Sequence, residues 1–489
     1  MTVAGAPTAI VNPYAAWTGT PHRGVTGAEA AVAVAAGVGL DLALRSGVAV
    51  TASVALMAGV VIALILSRRL VNPQSVALAA ASLVTGSFLA LRASAWLLPL
   101  DLLVSGALLM AACSYARGGS VVDVTVPRLV QRGIQAGLQG LLSPAYLASG
   151  LAAAGGGRRG IPAVLRGLAL ATPVVLVVGL LLASADTVFA SFVRFDLATA
   201  VGKAIVVCVG AFGFGALLRL TAVRPPPDPA HGVARLGSIE WTILLGSLNL
   251  LLGAFAAARL VALSEGGRRV IESAGLTYAE YARSGFFQLL AATVLILVCL
   301  LGVRAVADTT GALRLRFHFL SLGVVALTLV AVASALHRLH LYERVFGATM
   351  PRLAAKAVCF WIGVVLIALA ICITGNRRWF WFATAASGLV VLIALNVMNP
   401  EAYVVRRNVD HALQTGRFDG DYVGWLSDDA VPELVRALPR LKPEARVRVL
   451  EHVCWGRRYA PDGWWAENAS AANAEDARTA ACGGQRTAR

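Results

Sequence analysis

The chain has 489 residues, of which 58% are hydrophobic and only 14% are charged. Soluble globular proteins carry about 45–50% apolar and about 25% charged residues, and the mean hydropathy of +0.74 departs in the same direction. A water-soluble fold of this size cannot bury so much apolar surface. The composition therefore excludes a soluble enzyme or binding domain and predicts a multi-pass membrane protein.

The net charge of +16 belongs to the hydrophobic part of the chain. From residue 399 onward, 13 Lys and Arg balance 13 Asp and Glu, so the whole excess lies in residues 1–398. There the basic residues stand in short connections, as in the pairs at 68–69, 158–159, 268–269 and 377–378. Membrane proteins place cations in this way, at helix ends. The pattern indicates the lipid bilayer as partner and excludes a nucleic-acid surface, while protein partners stay unknown.

No cofactor, metal or catalytic site is predicted from motifs. Five of the seven cysteines lie in apolar runs, where Cys behaves as a small hydrophobe. No C-x-x-C pair occurs, and the odd number predicts no disulfide framework. Gly155, Gly157 and Gly160 match the spacing of a dinucleotide-binding turn, but the required acidic residue about 20 positions later is missing. We interpret that stretch as a loop.

A membrane-spanning helix needs about 20 predominantly apolar residues. Eleven segments satisfy this rule: 28–44, 48–66, 75–91, 95–114, 168–184, 204–220, 239–263, 286–306, 319–336, 354–374 and 380–397. The predicted fold class is therefore all-α, a polytopic transmembrane helical bundle of 11–12 spans with a small helical C-terminal tail.

The segment between the fourth and fifth spans decides the topology. Residues 121–157 are less apolar and combine leucines at helical spacing with Arg128, Arg132 and several glutamines, which favours an amphipathic helix in the membrane interface over a twelfth span. A twelfth span would place the basic connections 259–283 and 338–356 inside, together with the tail. The span count and the positive-inside rule therefore conflict, and the charge pattern favours a cytoplasmic tail.

Composition divides the chain into six parts. Residues 1–27 form a polar N-terminal segment, 28–120 a first transmembrane group of about four spans, and 121–160 the amphipathic interfacial segment. Residues 161–398 form a second transmembrane group of about seven spans, 399–466 a helical soluble tail, and 467–489 an Ala-rich polar end expected to be disordered.

Polar residues within apolar runs are the main candidate sites, because charge in lipid is costly and is commonly functional or paired. Asp101 lies inside the fourth span and Asn249 near the middle of the seventh, while Asp186 follows the fifth span. Such residues can line a binding path or join helices by hydrogen bonds. Both interpretations stay open.

A second candidate cluster stands at a helix end. His337 and His340 are three residues apart, and Glu343 extends the same row. Two histidines and a carboxylate could bind a metal or handle protons. Ordinary interfacial polar residues explain the pattern as well, since no further ligand is evident.

Several ordered motifs resemble a known family. The polar entry to the eighth span at 278–289 contains Glu280 and Arg283, and further motifs stand at 182–189, 341–343, 399–408 and 425–432. Together they resemble bacterial multi-pass membrane proteins of the domain-of-unknown-function families 4153 and 4173, over about residues 166–468. The resemblance implies a bacterial membrane location and carries over no catalytic residue.

Three functions are compatible with the sequence. The first is an integral protein of the bacterial plasma membrane, without a catalytic role, that works as an assembly or regulatory component. The second is a transporter or permease whose polar path includes Asp101 and Asn249 and could extend to Asp186. The third is a membrane enzyme acting on lipid-linked substrates through Asp186, or through Glu280 with Arg283. A transporter predicts a polar cavity at mid-membrane, and a scaffold predicts a packed apolar bundle.

Overall fold

The computed structural model describes residues 19–45, 50–154, 197–225, 236–263, 286–307, 311, 313–375, 378–456 and 468–483. These residues are helical and contain no strand, apart from one isolated bridge between Leu236 and Ala307. The prediction of an all-α polytopic bundle is therefore confirmed.

Eleven helices precede the tail in the described residues. They are α1 (Gly27–Arg45), α2 (Val50–Leu66), α3 (Pro73–Leu91), α4 (Leu98–Tyr115), α5 (Val126–Ala154), α6 (Leu197–Ala222), α7 (Ser238–Leu263), α8 (Phe286–Val306), α9 (Leu313–Phe346), α10 (Met350–Thr374) and α11 (Phe380–Met398). Nine of the described helices are long and apolar enough to cross a membrane, and α2 is a shorter apolar helix. The predicted fifth span, 168–184, lies outside the described residues.

The membrane helices form two packed groups with separate apolar cores. One core contains residues from α1 through α6, and the other contains residues from α7 through α11. Within the first group, α1 and α6 approach most closely where Gly37 faces Gly210, because a side chain at either position would collide with the opposite helix. Small residues allow membrane helices to pack at such short range. In the second group, Trp241 of α7 lies edge-on to Phe317 of α9 at 5.4 Å.

A buried ion pair fixes one end of the first group. Arg69 and Glu29 are 5% and 7% exposed, and the guanidinium donates to both carboxylate oxygens at 2.9 and 2.7 Å. Arg69 also donates to the carbonyl of Gly24 and to the Tyr146 hydroxyl. A charge buried in this way is stable only with such a complete set of partners. The bonds tie the α2–α3 connection to α1 and α5.

Backbone contacts establish which helix ends lie together. The His22 amide donates to the Ala222 carbonyl, so α1 begins where α6 ends, and the Leu236 amide donates to Val306, so α7 begins where α8 ends. The opposite ends of the helices lie beside the tail, and we call that side the tail side. Helix α5 lies at the other side, since Gln135 donates to the Arg224 carbonyl and Tyr146, nearer its end, donates to the Arg23 carbonyl. Ala154 and Leu197 therefore lie at opposite sides of the bundle, as a predicted span between them requires.

The tail forms a small helical module with its own apolar core. Its helices are α12 (Pro400–Thr415), α13 (Gly420–Gly424), α14 (Val431–Ala437), α15 (Pro443–Trp455) and α16 (Ala469–Cys482), with 3-10 turns at Asp428–Ala430 and Leu438–Arg440. Valines and leucines from α12, α14 and α15 meet alanines of α16. We call these residues, 400–456 and 468–482, the tail module.

Two features of the tail differ from the sequence-based expectations. Residues from 467 onward were expected to be disordered, yet Ala469–Cys482 form α16, because Ala471 and Ala474 are buried in the module. No disulfide was expected, yet Cys454 and Cys482 are bonded across α15 and α16, with their Cα atoms 5.9 Å apart. The odd number of cysteines in the sequence did not reveal this pair, because the other five cysteines of the chain are free thiols.

Candidate functional site: the junction of the tail module with the membrane helices

The tail module contacts the turn between α3 and α4, residues 92–97, which we call the α3–α4 turn. Asp429 is 3% exposed, and its Oδ2 accepts the backbone amides of Ala93 at 3.0 Å and Ser94 at 2.9 Å. Its other oxygen accepts the Ser470 hydroxyl at 2.7 Å. Amides at a helix start have no partner within the helix. A tail carboxylate therefore satisfies donors of a turn formed 335 residues earlier in the chain.

Asn468 contacts the same turn from the carbonyl side. Its side-chain amide donates to the carbonyls of Leu89 and Arg92 at 3.2 and 2.8 Å, where α3 ends. Its Oδ1 accepts the amides of Ser470 and Ala471, which makes Asn468 the N-cap of α16. One buried side chain thus completes the end of a membrane helix and the start of a tail helix.

The hinge between α11 and α12 supplies the third part of the junction. Asn399 has a φ of 55°, a left-handed conformation that Asn tolerates, and its Oδ1 accepts the amide of Ala402. Its amide donates to the Asp429 carbonyl at 3.0 Å. Pro400 follows at the first helical position, where the missing N–H costs nothing. The Asn-Pro pair therefore turns the chain sharply from the last membrane helix into the tail.

Glu401 is buried beside this hinge. It is 2% exposed, and its Oε2 accepts the amide and hydroxyl of Ser427 at 2.6 and 2.7 Å. Burial raises the pKa of Glu401 above its ordinary value; the bonds from Ser427 oppose the shift, and the nearby Asp429 carboxylate adds to it. Two acidic side chains of the tail therefore lie in one buried polar junction.

Just below the junction, Asp101 of α4 pairs with Asn396 of α11. Both side chains are fully buried, and the Asn396 amide donates to Asp101 Oδ1 at 2.8 Å. Asp101 Oδ2 and Asn396 Oδ1 have no hydrogen-bond partner among the described residues. This pair joins the two helix groups inside the membrane.

A second turn on the tail side is held in a similar way. Asn408 of α12 accepts the Ala348 amide at 2.6 Å and donates to the Ala348 carbonyl at 2.9 Å. The Tyr422 hydroxyl accepts the Met350 amide at 2.6 Å. This turn connects α9 to α10 in the second helix group, whereas the α3–α4 turn belongs to the first. The tail module consequently bridges the two groups.

An apolar groove of about 1460 Å³ opens between the first helix group and the tail module. Its wall within the membrane is formed by α1, α2, α4 and α6, including Met57, Leu102 and Gly213. Its mouth is formed by Arg92 and by tail residues that include Trp425 and Arg478. The groove is larger than ordinary ligand pockets of about 300–1000 Å³.

The other predicted site residues are not brought together. Asn249 donates to the carbonyls of Leu245 and Leu320 at 2.8 and 2.9 Å, and its side chain fills the space over Gly323 of α9. It thus joins α7 to α9 and has no contact with Asp101. Asp186, Glu280 and Arg283 lie outside the described residues, and their roles stay predictions.

The histidine row does not form a cluster either. His337 and His340 are exposed, whereas Glu343 is 8% exposed and forms an ion pair with Lys356 of α10. The spacing brings 337 and 340 to one face, but six residues carry Glu343 around the helix toward α10. In the part of the chain that the structure describes, no three His, Cys, Asp or Glu side chains could hold a metal ion.

Sequence reasoning missed the central residues of the junction. Asp429 entered only as part of the family-like motif 425–432, and Asn468 only as part of the polar end expected to be disordered. The usable signal was the polar hinge at Asn396 and Asn399, because uncharged amides beside a membrane helix favour interhelical hydrogen bonds.

Comparison with known proteins shows which family the chain belongs to, and nothing beyond the family. No curated protein and no solved structure matches it. The model of the family described as "Domain of unknown function (DUF4153)" matches residues 76–437, a range that contains the α3–α4 turn, Asp101, Asn396, Glu401 and Asp429. The likeness to family 4173 stays a resemblance. Because the match covers well over half of the chain, the protein belongs to the DUF4153 family of domains of unknown function.

Proposed function

We propose that the protein is an integral protein of the bacterial plasma membrane and works as an assembly or regulatory component, with the tail module as its working part. The observation that carries this proposal is the bridge: Asp429 and Asn468 bind a turn of the first helix group, and Asn408 and Tyr422 bind a turn of the second. A module that holds two membrane groups together can couple a change at its surface to their packing.

The transport alternative has weaker support. It needs polar side chains that converge at mid-membrane, but Asp101 is bonded to Asn396 and Asn249 to the Leu320 carbonyl. Both bonds run between helices and are typical of helix–helix contacts in membranes. The enzyme alternative depends on Asp186, Glu280 and Arg283, outside the described residues, and stays a prediction.

Replacement of Asp429 tests the bridge. Asp429→Ala leaves two buried backbone amides and Ser470 without their acceptor, at a cost on the order of 3 kcal/mol. We expect faster hydrogen–deuterium exchange at residues 92–97 and 468–474 of the full-length protein. We also expect loss of complementation in a strain lacking the gene.

The matched controls are Asp101→Asn and Asn249→Ala, which change the intramembrane polar residues and leave the bridge intact. Both should complement fully on the present proposal. Loss of complementation in these controls, at normal protein levels in the membrane, would favour transport. Full complementation by Asp429→Ala, despite faster exchange at the turn, would show that the bridge is not the working part.

We further propose that the tail module lies on the non-cytoplasmic side, in place of the cytoplasmic tail favoured by charge alone. The Cys454–Cys482 bond supports this orientation, since disulfides persist in oxidising compartments.

A further inference from the structure

The groove reaches from the membrane surface to the middle of the membrane. On α4 it is lined from Leu98, at the helix start, to Leu109. At about 1.5 Å per residue these positions are about 16 Å apart along the helix. The hydrocarbon core of a bilayer is about 30 Å thick, so this depth is that of a single leaflet.

The wall of the groove is accessible to hydrocarbon. Leu102 is 61% exposed although it lies in a membrane helix, and Gly213 of α6 has open space where a side chain would stand. The solvent at this depth is the acyl chains of lipids. A wall of leucine, methionine and glycine offers a lipid acyl chain apolar contacts and no hydrogen bonds.

The mouth carries a cation whose polar contacts are long. Arg92 is the C-cap of α3, and its guanidinium makes only long contacts, 3.4 Å to the Val397 carbonyl and 3.6 Å to Asp429. The second arginine of the mouth, Arg478, is bonded to Asp428. A guanidinium fits a phosphate group through paired N–H donors.

We propose that the groove binds one phospholipid of the leaflet on the tail side, with its acyl chains along α2, α4 and α6 and its phosphate at Arg92. The depth of the groove, its apolar wall and the loosely paired guanidinium of Arg92 at its mouth all fit this amphipathic ligand. The bound lipid lies against the tail module and would stabilise the bridge between the helix groups. The site itself does not depend on the proposed function.

The test uses the full-length protein in phosphatidylcholine vesicles that contain a phosphatidylglycerol with a photoactivatable acyl chain. After illumination, cross-linked peptides are identified by mass spectrometry. We expect adducts on the segments around Met57, Leu102 and Gly213. Leu102→Trp fills the groove and should lower these adducts about tenfold, which corresponds to about 1.4 kcal/mol.

Leu103→Trp is the matched control, because Leu103 is the next residue, is 69% exposed and does not line the groove. The Leu103→Trp variant should give as many groove adducts as the wild type. Gly213→Phe and Gly246→Phe form a second pair, since neither glycine has an atom within 4 Å of an added Cβ, and Gly213 alone of the two lines the groove.

The headgroup contact is tested separately. Arg92→Gln should lower labelling by the phospholipid and leave labelling by a photoactivatable diacylglycerol, which has no phosphate, unchanged. Arg68→Gln, an exposed arginine at the opposite side of the bundle, is the control. Absence of groove adducts in the wild type, equal loss in both tryptophan variants, or equal labelling of Arg92→Gln and Arg68→Gln would overturn the proposal.

Discussion

The pair of Asp101 and Asn396 shows how a single intramembrane carboxyl group is used in this fold. It lies between α4 and α11, near the tail side, and its side-chain hydrogen bond joins the two helix groups within the membrane. The two oxygen atoms left without donors, Asp101 Oδ2 and Asn396 Oδ1, indicate that one more proton would complete the pair.

Substitution at position 101 can supply or remove that donor. Asp101→Asn brings an amide that can donate to Asn396, so we expect thermal stability in detergent close to that of the wild type. Asp101→Ala leaves the Asn396 amide with only its bond to the Leu392 carbonyl and should cost about 1 kcal/mol. Thermal unfolding of the two purified variants measures the difference. Equal destabilisation by both would show that a carboxylate is required there.

At the residue scale, sequence reasoning identified Asp101 and could not identify its partner. An acidic residue in an apolar run stands out because of its cost. Its partner, Asn396, is 295 positions away, and no local pattern connects them. Asn249 was identified in the same way. Its partner is the backbone carbonyl of Leu320, and a backbone carbonyl cannot be recognised as a partner from the residue type.

At the scale of the elements, the stability of α12 should respond to pH. Its Glu401 has a pKa raised by burial, so the folded state holds a proton more tightly than the unfolded state. The stabilisation is complete below the unfolded pKa near 4.5 and is lost as the pH rises through the raised value. Docking of the tail module should therefore weaken as the pH rises above about 4.5 and through the raised pKa of Glu401.

Glu401→Gln removes this dependence, because an amide keeps an acceptor for Ser427 and carries no charge. We expect its unfolding midpoint to change less between pH 4.5 and pH 7 than that of the wild type. Glu444→Gln, an exposed position on α15, is the control. If the Glu401→Gln variant and the wild type have parallel pH profiles, folding does not raise the pKa of Glu401 and the prediction is wrong.

The elements themselves were largely predictable. Each membrane helix is apolar over its own length, so hydropathy alone locates α3, α4, α7, α8, α10 and α11 within a few residues, whereas α9 extends well beyond the predicted segment 319–336 at both ends. Helix α16 was missed because its sequence is alanine-rich and polar, and its stability comes from the N-cap at Asn468 and from burial against α14 and α15. Such contacts are tertiary and lie outside any local window.

At the scale of the whole molecule, the proposed orientation makes a direct prediction. An alkaline phosphatase fused after Arg489 should be active, and a green fluorescent protein at the same position should be dark, because the tail module is proposed to lie outside the cytoplasm. The bond between Cys454 and Cys482 should protect both thiols from a maleimide reagent in intact cells until a reductant is added.

The reverse result would restore the cytoplasmic tail. In that case the fluorescent fusion is bright, and both thiols react with maleimide in lysed cells without prior reduction. The sequence could not decide the orientation, because its charge rule depends on the interval between α4 and α6, where span count and charge disagree.

The turn that the tail module occupies is synthesised long before its partners exist. Asp429 follows Ser94 by 335 positions, and Asn468 follows Arg92 by 376. At about 5–20 residues per second, the turn waits roughly 20 to 70 seconds for its hydrogen bonds. During that time its amides and carbonyls must be bonded to water at the membrane surface. The first helix group is thus synthesised early, but its last hydrogen bonds form only after the tail module has been synthesised.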